Sequence, residues 1–305
     1  MCLFPKLILN RKYRANKKNG GNVPPIKDIR TLYVPVGCGK CMECMKKKAR
    51  EWQIRLTEEI KENKNGQFIT LTFSEESLNE LRIETETGED NEVATLGVRR
   101  FLERWRKKYK KSVRHWLVTE LGHENTERIH LHGILFTDQT KEEIETIWSY
   151  GYIYKGLYVN ERTINYIVKY IHKTDKDHVN YQPKILTTAG IGSNYNKDIN
   201  KQRHKYKENE TKETYKFRNG RESALPIYYR NKMFTEEERE NLWIEKINKK
   251  ERWVCGEKVS GKRKDIEKYH KLREYYVEKN KRLGYGGDEK FDKETYNKRN
   301  GEINE

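Results

Sequence analysis

The sequence has no hydrophobic run of the ~18 to 20 residues that a membrane-spanning helix requires. Its start, MCLFPKLILNRKYR, holds only a short apolar run and no small-residue cleavage site, which argues against a signal peptide. Cysteine is scarce, with five residues in 305, and a chain without an export signal keeps such thiols in a reducing compartment. We therefore expect an intracellular, cytoplasmic protein, which excludes a membrane-spanning or exported one.

Apolar residues are also few: they make up 34% of the chain, against 36% for charged residues. This balance predicts one compact core with charged flanks. The net charge is +17 and the sequence pI is near 9.4. Such an excess favours a polyanionic partner, and nucleic acid is the first candidate because bound phosphates release condensed counterions. The alternative is that the charge serves solubility alone.

Hydrophobic periodicity divides the centre of the chain into regular elements. QFITLTF, from Gln67 to Phe73, alternates at period two and predicts a strand. There follow, in order, a helix with a stripe at Val98, Phe101, Leu102 and Trp105, the strands HWLVTELG and RIHLHGILF joined as a hairpin, the helix KEEIETIWSY, the strand GYIYKGLYV and a helix that starts after Asn160 or Glu161. This order is the split β-α-β pattern, so the sequence predicts an α+β fold with a ferredoxin-like antiparallel sheet.

Charge-rich, partly helical extensions flank this core. We expect four regions: 1–64, an N-terminal cysteine-containing basic segment and helix; 65–180, the core; 181–259, a C-terminal extension that packs on the core; and 260–305, a charged helix and flexible tail. Helices are predicted from Lys40 to about Asn63, over TEEERENLWIEKINK with a Thr235 cap and Glu238 in the reciprocal position, and from about Ile266 to Asn280.

Two histidines, His130 and His132, lie one residue apart in the apolar run IHLHGILF. Side chains at i and i+2 of a strand share a face, so both imidazoles can bind one metal ion. A third ligand is needed: Glu120 on the preceding strand fits best, and His115 and His123 are the competing candidates. A carboxylate among imidazoles suits Mg²⁺ or Mn²⁺, with positions left open for phosphate oxygens.

Other proteins also use a His-x-His pair. Nucleotide hydrolases with a His-x-His-x-His run need a third histidine where this chain has Ile134, and barrel metallohydrolases need repeated strand-helix units that are missing here. Two ordinary core or surface histidines are the remaining alternative.

The segment YIVKYIHK shows a second pattern. On a helical wheel, Ile164, Ile167, Val168 and Ile171 form an apolar side, and Tyr166, Lys169, Tyr170 and Lys173 form the opposite side. Because i and i+4 lie one turn apart, both tyrosine hydroxyls can reach one phosphate. A phenol, with its pKa near ~10, is a poor nucleophile at neutral pH, so its attack on phosphate needs a metal ion and a nearby cation such as Lys169. The alternative is a solvated face with amphipathic tyrosines.

QFITLTF, IHLHGILF and YIVKYIHK, in this order, resemble the three motifs of the HUH endonuclease superfamily (His-hydrophobic-His plus Tyr). CGKCMECMKKKAREWQIRL, RHWLVTELG, NYIVKYIHK, GIGSNY and LPIYYR look like segments of the replication-initiation proteins of gokushovirus-type microviruses, which are of the double-tyrosine rolling-circle type. This resemblance runs from near residue 1 to about residue 255.

The resemblance implies a metal-dependent, single-strand-specific DNA nickase and ligase that starts and ends rolling-circle replication through a 5′-phosphotyrosine link. The roles it implies are metal ligation for His130, His132 and Glu120, nucleophilic attack for Tyr166 and Tyr170, and the motif lysine for Lys169. The implied partners are single-stranded circular DNA and replicative-form origin DNA in the host cytoplasm. No G-x-x-x-x-G-K-[ST] loop is present, so a host helicase and polymerase would supply unwinding and synthesis.

Cys38, Cys41 and Cys44 follow a C-x2-C-x2-C spacing. Such gaps suit a structural Zn²⁺ site, which needs four ligands. Cys2 is the candidate for the fourth ligand, and Cys255 is less favoured because it lies far along the chain. An iron–sulfur cluster and unligated thiols are the alternatives.

Cations are dense from Arg99 to Arg114. The candidates for phosphate contacts are Arg99, Arg100, Arg104, Arg106, Lys107 and Lys108, together with Lys173 on the tyrosine segment. Tyr109 and Trp116 are candidates for stacking on unpaired bases. A second basic cluster comprises Lys46, Lys47, Lys48 and Arg50, and a solvated helix face is the alternative for the first.

Two other functions stay open at this stage. Transposases and plasmid relaxases use the same chemistry, and a non-catalytic DNA-binding protein would keep the basic surface and use its metal structurally. A covalent 5′-linked product separates the enzymes from the DNA-binding protein.

Overall fold

A five-stranded antiparallel sheet lies at the centre of the computed structural model, which describes residues 2–122, 126–174, 178, 181–260 and 265–287. Before the sheet come β1 (Lys6–Leu9), β2 (Tyr33–Val36) and α1 (Met42–Glu62). The sheet and its helices are β3 (Gly66–Leu71), α2 (Glu75–Glu84), α3 (Asp90–Tyr109), β4 (Arg114–Leu121), β5 (Ile129–Phe136), α4 (Lys141–Trp148), β6 (Ile153–Tyr158), α5 (Glu161–Ile167) and β7 (Ile185–Thr187). The remaining elements are α6 (Asp198–Arg203), β8 (Thr214–Lys216), β9 (Glu222–Ala224), α7 (Ile227–Met233), α8 (Glu236–Asn248), β10 (Glu251–Val254), β11 (Glu257–Ser260) and α9 (Ile266–Arg282).

The strands of the sheet lie in the order β6-β3-β5-β4-β7, and each neighbouring pair is antiparallel. β4 and β5 form the predicted hairpin, with Arg114 opposite Phe136 and Leu121 opposite Ile129. These observations confirm the predicted α+β class and the antiparallel sheet. The fifth strand, β7, comes from beyond residue 180, the expected end of the core; the four-region division itself stays a prediction.

The two faces of the sheet carry different helices, because successive strand residues point to opposite sides. On one face, Leu71, Leu131 and Leu135 pack with buried residues of α2, α3 and α4. On the other face, Trp116 and Ile134 pack with buried residues of α1 and α5. Each such large apolar side chain contributes about 1.5 to 3 kcal/mol through burial. Since the motif histidines alternate with Leu131 along β5, they belong to the face that α1 and α5 cover.

The tyrosine segment is helical, as predicted, but its second half is tighter than an α-helix. The Asn160 side chain caps α5 by accepting hydrogen bonds from the amides of Arg162 and Thr163. After Ile167 the chain continues as a 3₁₀ turn over Val168–Ile171. All four residues of the predicted apolar side are buried, which confirms that this side anchors the segment to the core: Ile164, Ile167, Val168 and Ile171.

The predicted helices outside the core are also present. α1 covers the range predicted from Lys40, and α8 begins with the predicted capping box of Thr235 and Glu238. α9 begins at Ile266 as predicted and extends to Arg282. Residues 288–305, where most of the predicted flexible tail falls, lie outside the described residues. Within the described ranges no helix is long and apolar enough to cross a membrane.

Candidate metal and tyrosine site

The register of three neighbouring strands brings the motif histidines and a carboxylate together. Glu120 of β4 is paired with His130 of β5, and Thr70 of β3 is paired with His132. Paired residues of neighbouring antiparallel strands share a face of the sheet. The four side chains therefore meet on the face that α1 and α5 cover.

The distances between the predicted ligands are short. The Nε2 atoms of His130 and His132 lie 3.3 and 3.0 Å from Oε2 of Glu120. The ligand atoms of all three residues lie within 4.8 Å of one another. The side chains keep 12 to 22% of their surface exposed, so a solute can reach them.

The structure also places the two competing candidates for the third ligand. His115 is buried, and its Nδ1 atom lies 2.9 Å from the Thr188 hydroxyl and 3.0 Å from the Val113 carbonyl, away from the motif pair. His123 lies outside the described residues.

The second nitrogen of each imidazole is held by a partner on the sheet. Nδ1 of His130 lies 3.2 Å from the carbonyl oxygen of Arg128, and Nδ1 of His132 lies 3.0 Å from the hydroxyl of Thr70. A carbonyl oxygen can only accept, so Nδ1 of His130 carries a proton and donates it. In the neutral ring the lone pair is then on Nε2, which faces Glu120. This is the outer arrangement that orients metal-binding histidines.

The electrostatics of the cluster favour the deprotonated forms that bind metal. Burial raises the pKa of Glu120, but hydrogen bonds with His130, His132 and Lys173 outweigh it and hold this pKa well below its usual range. Burial lowers the pKa of His132, although the hydrogen bond with Glu120 opposes this shift.

These residues fit a divalent cation. Two imidazole lone pairs directed at a carboxylate oxygen would repel it unless a proton or a cation lay between them. A donor set of two nitrogens and one carboxylate, open to solvent, suits Mn²⁺ or Mg²⁺ with sites left for phosphate oxygens.

Both predicted nucleophiles lie against this cluster. The ring of Tyr170 stacks on His132, with centroids 4.3 Å apart and planes at 10°. Its hydroxyl donates a hydrogen bond of 2.6 Å to the hydroxyl of Tyr166. Burial and this hydrogen bond raise the pKa of Tyr170 well above the usual phenol value. The Tyr166 ring, half exposed, lies edge-on to Phe68 at 6.2 Å.

The two lysines of the segment lie in different surroundings. Nζ of Lys173 lies 2.6 Å from Oε1 of Glu120 and 5.9 Å from the ring centroid of Tyr170. Lys169, the predicted motif lysine, instead lines a groove of about 570 Å³ between α1 and the tyrosine segment. The lysine that contacts the carboxylate is therefore the one expected to bind DNA. The other cationic side chains of the groove are Lys46, Arg50, His172 and Lys173.

The basic residues predicted on α3 lie across the sheet from this site, because α3 packs on the opposite face. Arg99 and Arg100 form ion pairs with Glu103 and Glu84. Arg104 donates to the carbonyls of Ile147 and Trp148 at 2.7 and 2.6 Å, so its guanidinium secures the end of α4. Arg106, Lys107 and Lys108 are exposed. Phosphate contacts by α3 stay a prediction, and they would form a surface separate from the tyrosines.

One stacking prediction is wrong. The Trp116 indole is fully buried and packs against Trp52, with centroids 5.8 Å apart, so no base can stack on it. Tyr109 is half-buried and its hydroxyl donates to Gln139. An exposed aromatic that the sequence analysis missed is Tyr154 of β6, paired with Thr70 and 6.1 Å from Phe68.

Sequence reasoning also missed Thr70 and Phe68 as neighbours of the site. Both lie on one face of QFITLTF, and Phe68 stacks against His132 at 6.2 Å. The period-two pattern gave their shared face, and only the placement of β3 beside β5 shows that this face meets the histidines.

Comparison with known proteins gives one match. Residues 66–175 match the model of a family described as replication-associated protein, of the ORF2 type. This range runs from β3 through the tyrosine segment, so it contains Glu120, both motif histidines and both tyrosines. No curated protein and no solved structure matches the chain. The similarity of residues 66–175 to this family supports a role in replication.

Proposed function

We propose that this protein is a metal-dependent single-stranded DNA endonuclease and strand transferase that initiates and terminates rolling-circle replication. One observation carries the proposal: Tyr170 stacks on His132, and its hydroxyl lies 2.6 Å from that of Tyr166. Two phenols beside a three-ligand cation site are the groups that phosphodiester transesterification through tyrosine needs. The family match of residues 66–175 supports replication as the setting.

The arrangement of the sheet supports assignment to the HUH superfamily with a ferredoxin-like core. Counted along the chain from β3, the first four strands lie in the order fourth, first, third, second. The histidines lie on the third of these strands, and the tyrosines lie on the helix that follows the fourth. We assign the chain to the double-tyrosine type of gokushovirus-type microviruses, which implies host helicase and polymerase as partners.

Glu120, His130 and His132 would hold one Mg²⁺ or Mn²⁺ through a carboxylate oxygen and two Nε2 atoms. Bound there, the ion would make the scissile phosphorus more electrophilic and offset the charge that develops on its oxygens. Thr70 and the Arg128 carbonyl keep both imidazoles turned toward the substrate.

Cleavage exchanges one phosphoester bond for another. The phenol oxygen of Tyr166 forms a bond to phosphorus, the bond between phosphorus and the 3′ oxygen breaks, and that oxygen takes up a proton. The phenol proton passes to solvent, to which Tyr166 is half exposed. The products are a 5′-phosphotyrosine and a free 3′-hydroxyl, so the phosphoester is kept for later rejoining.

The hydrogen bond between the phenols sets the order of attack. Tyr170 donates to the oxygen of Tyr166, so it stabilises negative charge on that oxygen during the first cut. The raised pKa of Tyr170 makes it the poorer nucleophile at this stage. Once Tyr166 is esterified, Tyr170 attacks the regenerated origin, and the released 3′-hydroxyl attacks the Tyr166 ester to close the circle.

Two surfaces beside the tyrosines suit a single strand. Tyr154 is 53% exposed and presents its ring next to Phe68, where an unpaired base can stack. The groove with Lys46, Arg50 and Lys169 continues from the tyrosine segment along α1 and can follow the phosphate backbone.

Charge reversal distinguishes this groove from the basic stretch of α3. The Lys46→Glu, Arg50→Glu double variant should weaken single-strand binding about 10-fold and lower the slope of log K against log salt by about two. The Arg106→Glu, Lys107→Glu variant on α3 makes the same charge change and should alter both quantities less. Fluorescence titration at several salt concentrations measures them, and a larger loss in the α3 variant would place the strand on the other face.

The enzyme is tested with a pool of random single-stranded oligonucleotides that carry a fluorophore at the 3′ end. Cleavage leaves the 3′ fragment attached to protein, so we expect a labelled band that survives denaturation and requires Mn²⁺ or Mg²⁺. The same pool labelled at the 5′ end should release its label instead.

The Tyr166→Phe, Tyr170→Phe double variant is the control, because it removes two hydroxyl groups from an exposed pair. It should bind the pool as the wild type does and form no adduct. Binding without cleavage by the wild type would favour a non-catalytic DNA-binding protein. Cleavage that depends on inverted-repeat ends would favour a transposase.

A further inference from the structure

Four cysteines that the proposed chemistry does not use form one cluster at the start of α1. Cys2 precedes β1, Cys38 and Cys41 lie in the turn between β2 and α1, and Cys44 lies in the first turn of α1. All four are free thiols, and their sulfur atoms lie within 4.8 Å of one another.

The spacing of the sulfurs fits one tetrahedral zinc ion. Zinc–sulfur bonds of about 2.3 Å at tetrahedral angles place the sulfurs about 3.8 Å apart. The Sγ atoms of Cys2 and Cys41 are 3.8 Å apart, and those of Cys38 and Cys44 are 4.0 Å apart. One ion in the middle can therefore bind all four without rearrangement of the chain.

The backbone around the cluster stabilises thiolates. The amides of Phe4 and Cys38 donate to Sγ of Cys2 at 3.3 and 3.2 Å, and the amide of Cys41 donates to Sγ of Cys38 at 3.3 Å. Hydrogen bonds to the charged form of a ligand favour that form. Cys41 is also the N-cap of α1, where the helix dipole attracts negative charge.

Two other states of the cysteines fit less well. A disulfide needs sulfurs about 2.05 Å apart, roughly half the separations found here. An iron–sulfur cluster places several iron and sulfide atoms between its cysteines, whereas the four sulfurs here surround the space of one ion. The remaining cysteine, Cys255, packs near the cluster but is not one of the four.

We propose that Cys2, Cys38, Cys41 and Cys44 bind one structural zinc ion as thiolates. The buried side chains of Leu3 and Val254 and the packed residues of α9 cover this site. With four protein ligands and no open position, it supports folding and not catalysis.

The zinc site would also position the tyrosine segment from a distance. α9 packs on the cluster, and Arg273 of α9 donates to the carbonyl of Leu3 at 3.1 and 2.9 Å. Asn280, near the end of α9, accepts a 2.8 Å hydrogen bond from the amide of Met42 at the start of α1. Tyr285 then donates to the carbonyl of His172 at 2.7 Å, just after the tyrosine pair. The site therefore ties α1, α9 and the end of the tyrosine segment together.

The test is the metal content of the full-length protein, purified and then dialysed against EDTA. We expect about one zinc ion per chain by mass spectrometry of the metals. Growth with Co²⁺ should give sulfur-to-cobalt charge-transfer absorption of a tetrahedral thiolate site. Cys44→Ser should lose both signals, and Cys255→Ser, the matched cysteine control, should keep them.

The His130→Ala, His132→Ala double variant separates this site from the nicking site. It should keep the zinc and the cobalt absorption while it loses Mn²⁺-dependent cleavage. The proposal is overturned if the wild type holds no zinc and its thiols alkylate freely in the folded state, if iron replaces zinc, or if the zinc leaves with the two histidines. Metal content and absorption of the wild type decide the question even if Cys44→Ser fails to fold.

Discussion

Two clusters of metal-ligand side chains lie in the described part of this chain, and they share little beyond their size. Each brings its ligand atoms within 4.8 Å of one another. The first has two imidazoles and a carboxylate, is partly exposed, and lies against two phenols. The second has four sulfurs beneath Leu3 and Val254. An open set of ligands lets a substrate reach the ion and a closed set does not, so the two clusters separate chemistry from folding.

The clusters also differ in how the chain builds them. Glu120, His130 and His132 lie on two paired strands, and the sheet would hold them in register without an ion. Cys2 reaches Cys41 across a turn and a short strand pair, with backbone amides as its hydrogen-bond partners. We therefore expect metal removal to affect activity at the first cluster and stability at the second.

The largest effects fall on the phenols beside the open cluster. Tyr166→Phe should abolish the first cleavage, because the attacking oxygen, which accepts the Tyr170 hydrogen bond, is then missing. Tyr170→Phe should keep the first cleavage and lose circle closure. Single-turnover cleavage of a linear strand, followed by a circularisation assay, measures the two steps. The reverse pattern would assign the first attack to Tyr170.

A crossed pair of substitutions tests the division of roles. Glu120→Ala should lower the cleavage rate at least ~100-fold, since loss of an outer partner of a ligand already costs 10–100-fold, and should leave the melting temperature nearly unchanged. Cys44→Ser should lower the melting temperature by several degrees, because binding of a structural zinc adds directly to folding. Thermal melts and cleavage rates of both variants check this. Equal loss of stability in the two would contradict the division.

Thr70 tests the support of the open cluster alone. Thr70→Val keeps the shape of the side chain and removes the hydroxyl that lies 3.0 Å from Nδ1 of His132. Mn²⁺ affinity should fall about 10–100-fold, and zinc content should not change. Isothermal titration with Mn²⁺ provides the measurement. Unchanged Mn²⁺ affinity would show that the Thr70 hydroxyl does not orient His132.

Lys173 gives the smallest expected effect. Its ammonium lies 2.6 Å from Glu120 and competes there with a cation, yet the lysine side chain is 48% exposed, so the pair contributes about 1 kcal/mol at most. Lys173→Met should therefore raise Mn²⁺ affinity by up to about 5-fold. Lys169→Met, which removes a lysine from the same segment, is the control and should leave Mn²⁺ affinity as it is. A fall in affinity for Lys173→Met would show that Lys173 supports the ion.

Much of the site follows from local pattern in the sequence. The period-two alternation fixed the shared face of His130 and His132, and the hairpin placed Glu120 beside them. The helical wheel identified the buried side of the tyrosine segment, although the turn after Ile167 is a 3₁₀ turn. These features depend on residues close in sequence, so periodicity and turn length suffice to predict them.

Features that depend on long-range packing could not be read from the pattern. The positive charge of α3 suggested a DNA surface beside the site, but α3 covers the opposite face of the sheet. The same limit applies to Trp116, whose burial depends on α1 packing over β4. Lys173 pairs with Glu120 because the 3₁₀ turn ends near β4, and no spacing rule shows this contact.

The central claim is that a phenol of this pair becomes joined to DNA. Digestion of the adduct with protease and nuclease, followed by mass spectrometry, identifies the modified residue. After one turnover on a linear strand with Mn²⁺, we predict a nucleotide phosphate on Tyr166 and none in the absence of the ion. An adduct on a tyrosine other than Tyr166 or Tyr170, or cleavage that leaves a free 5′-phosphate and no adduct, would contradict the account.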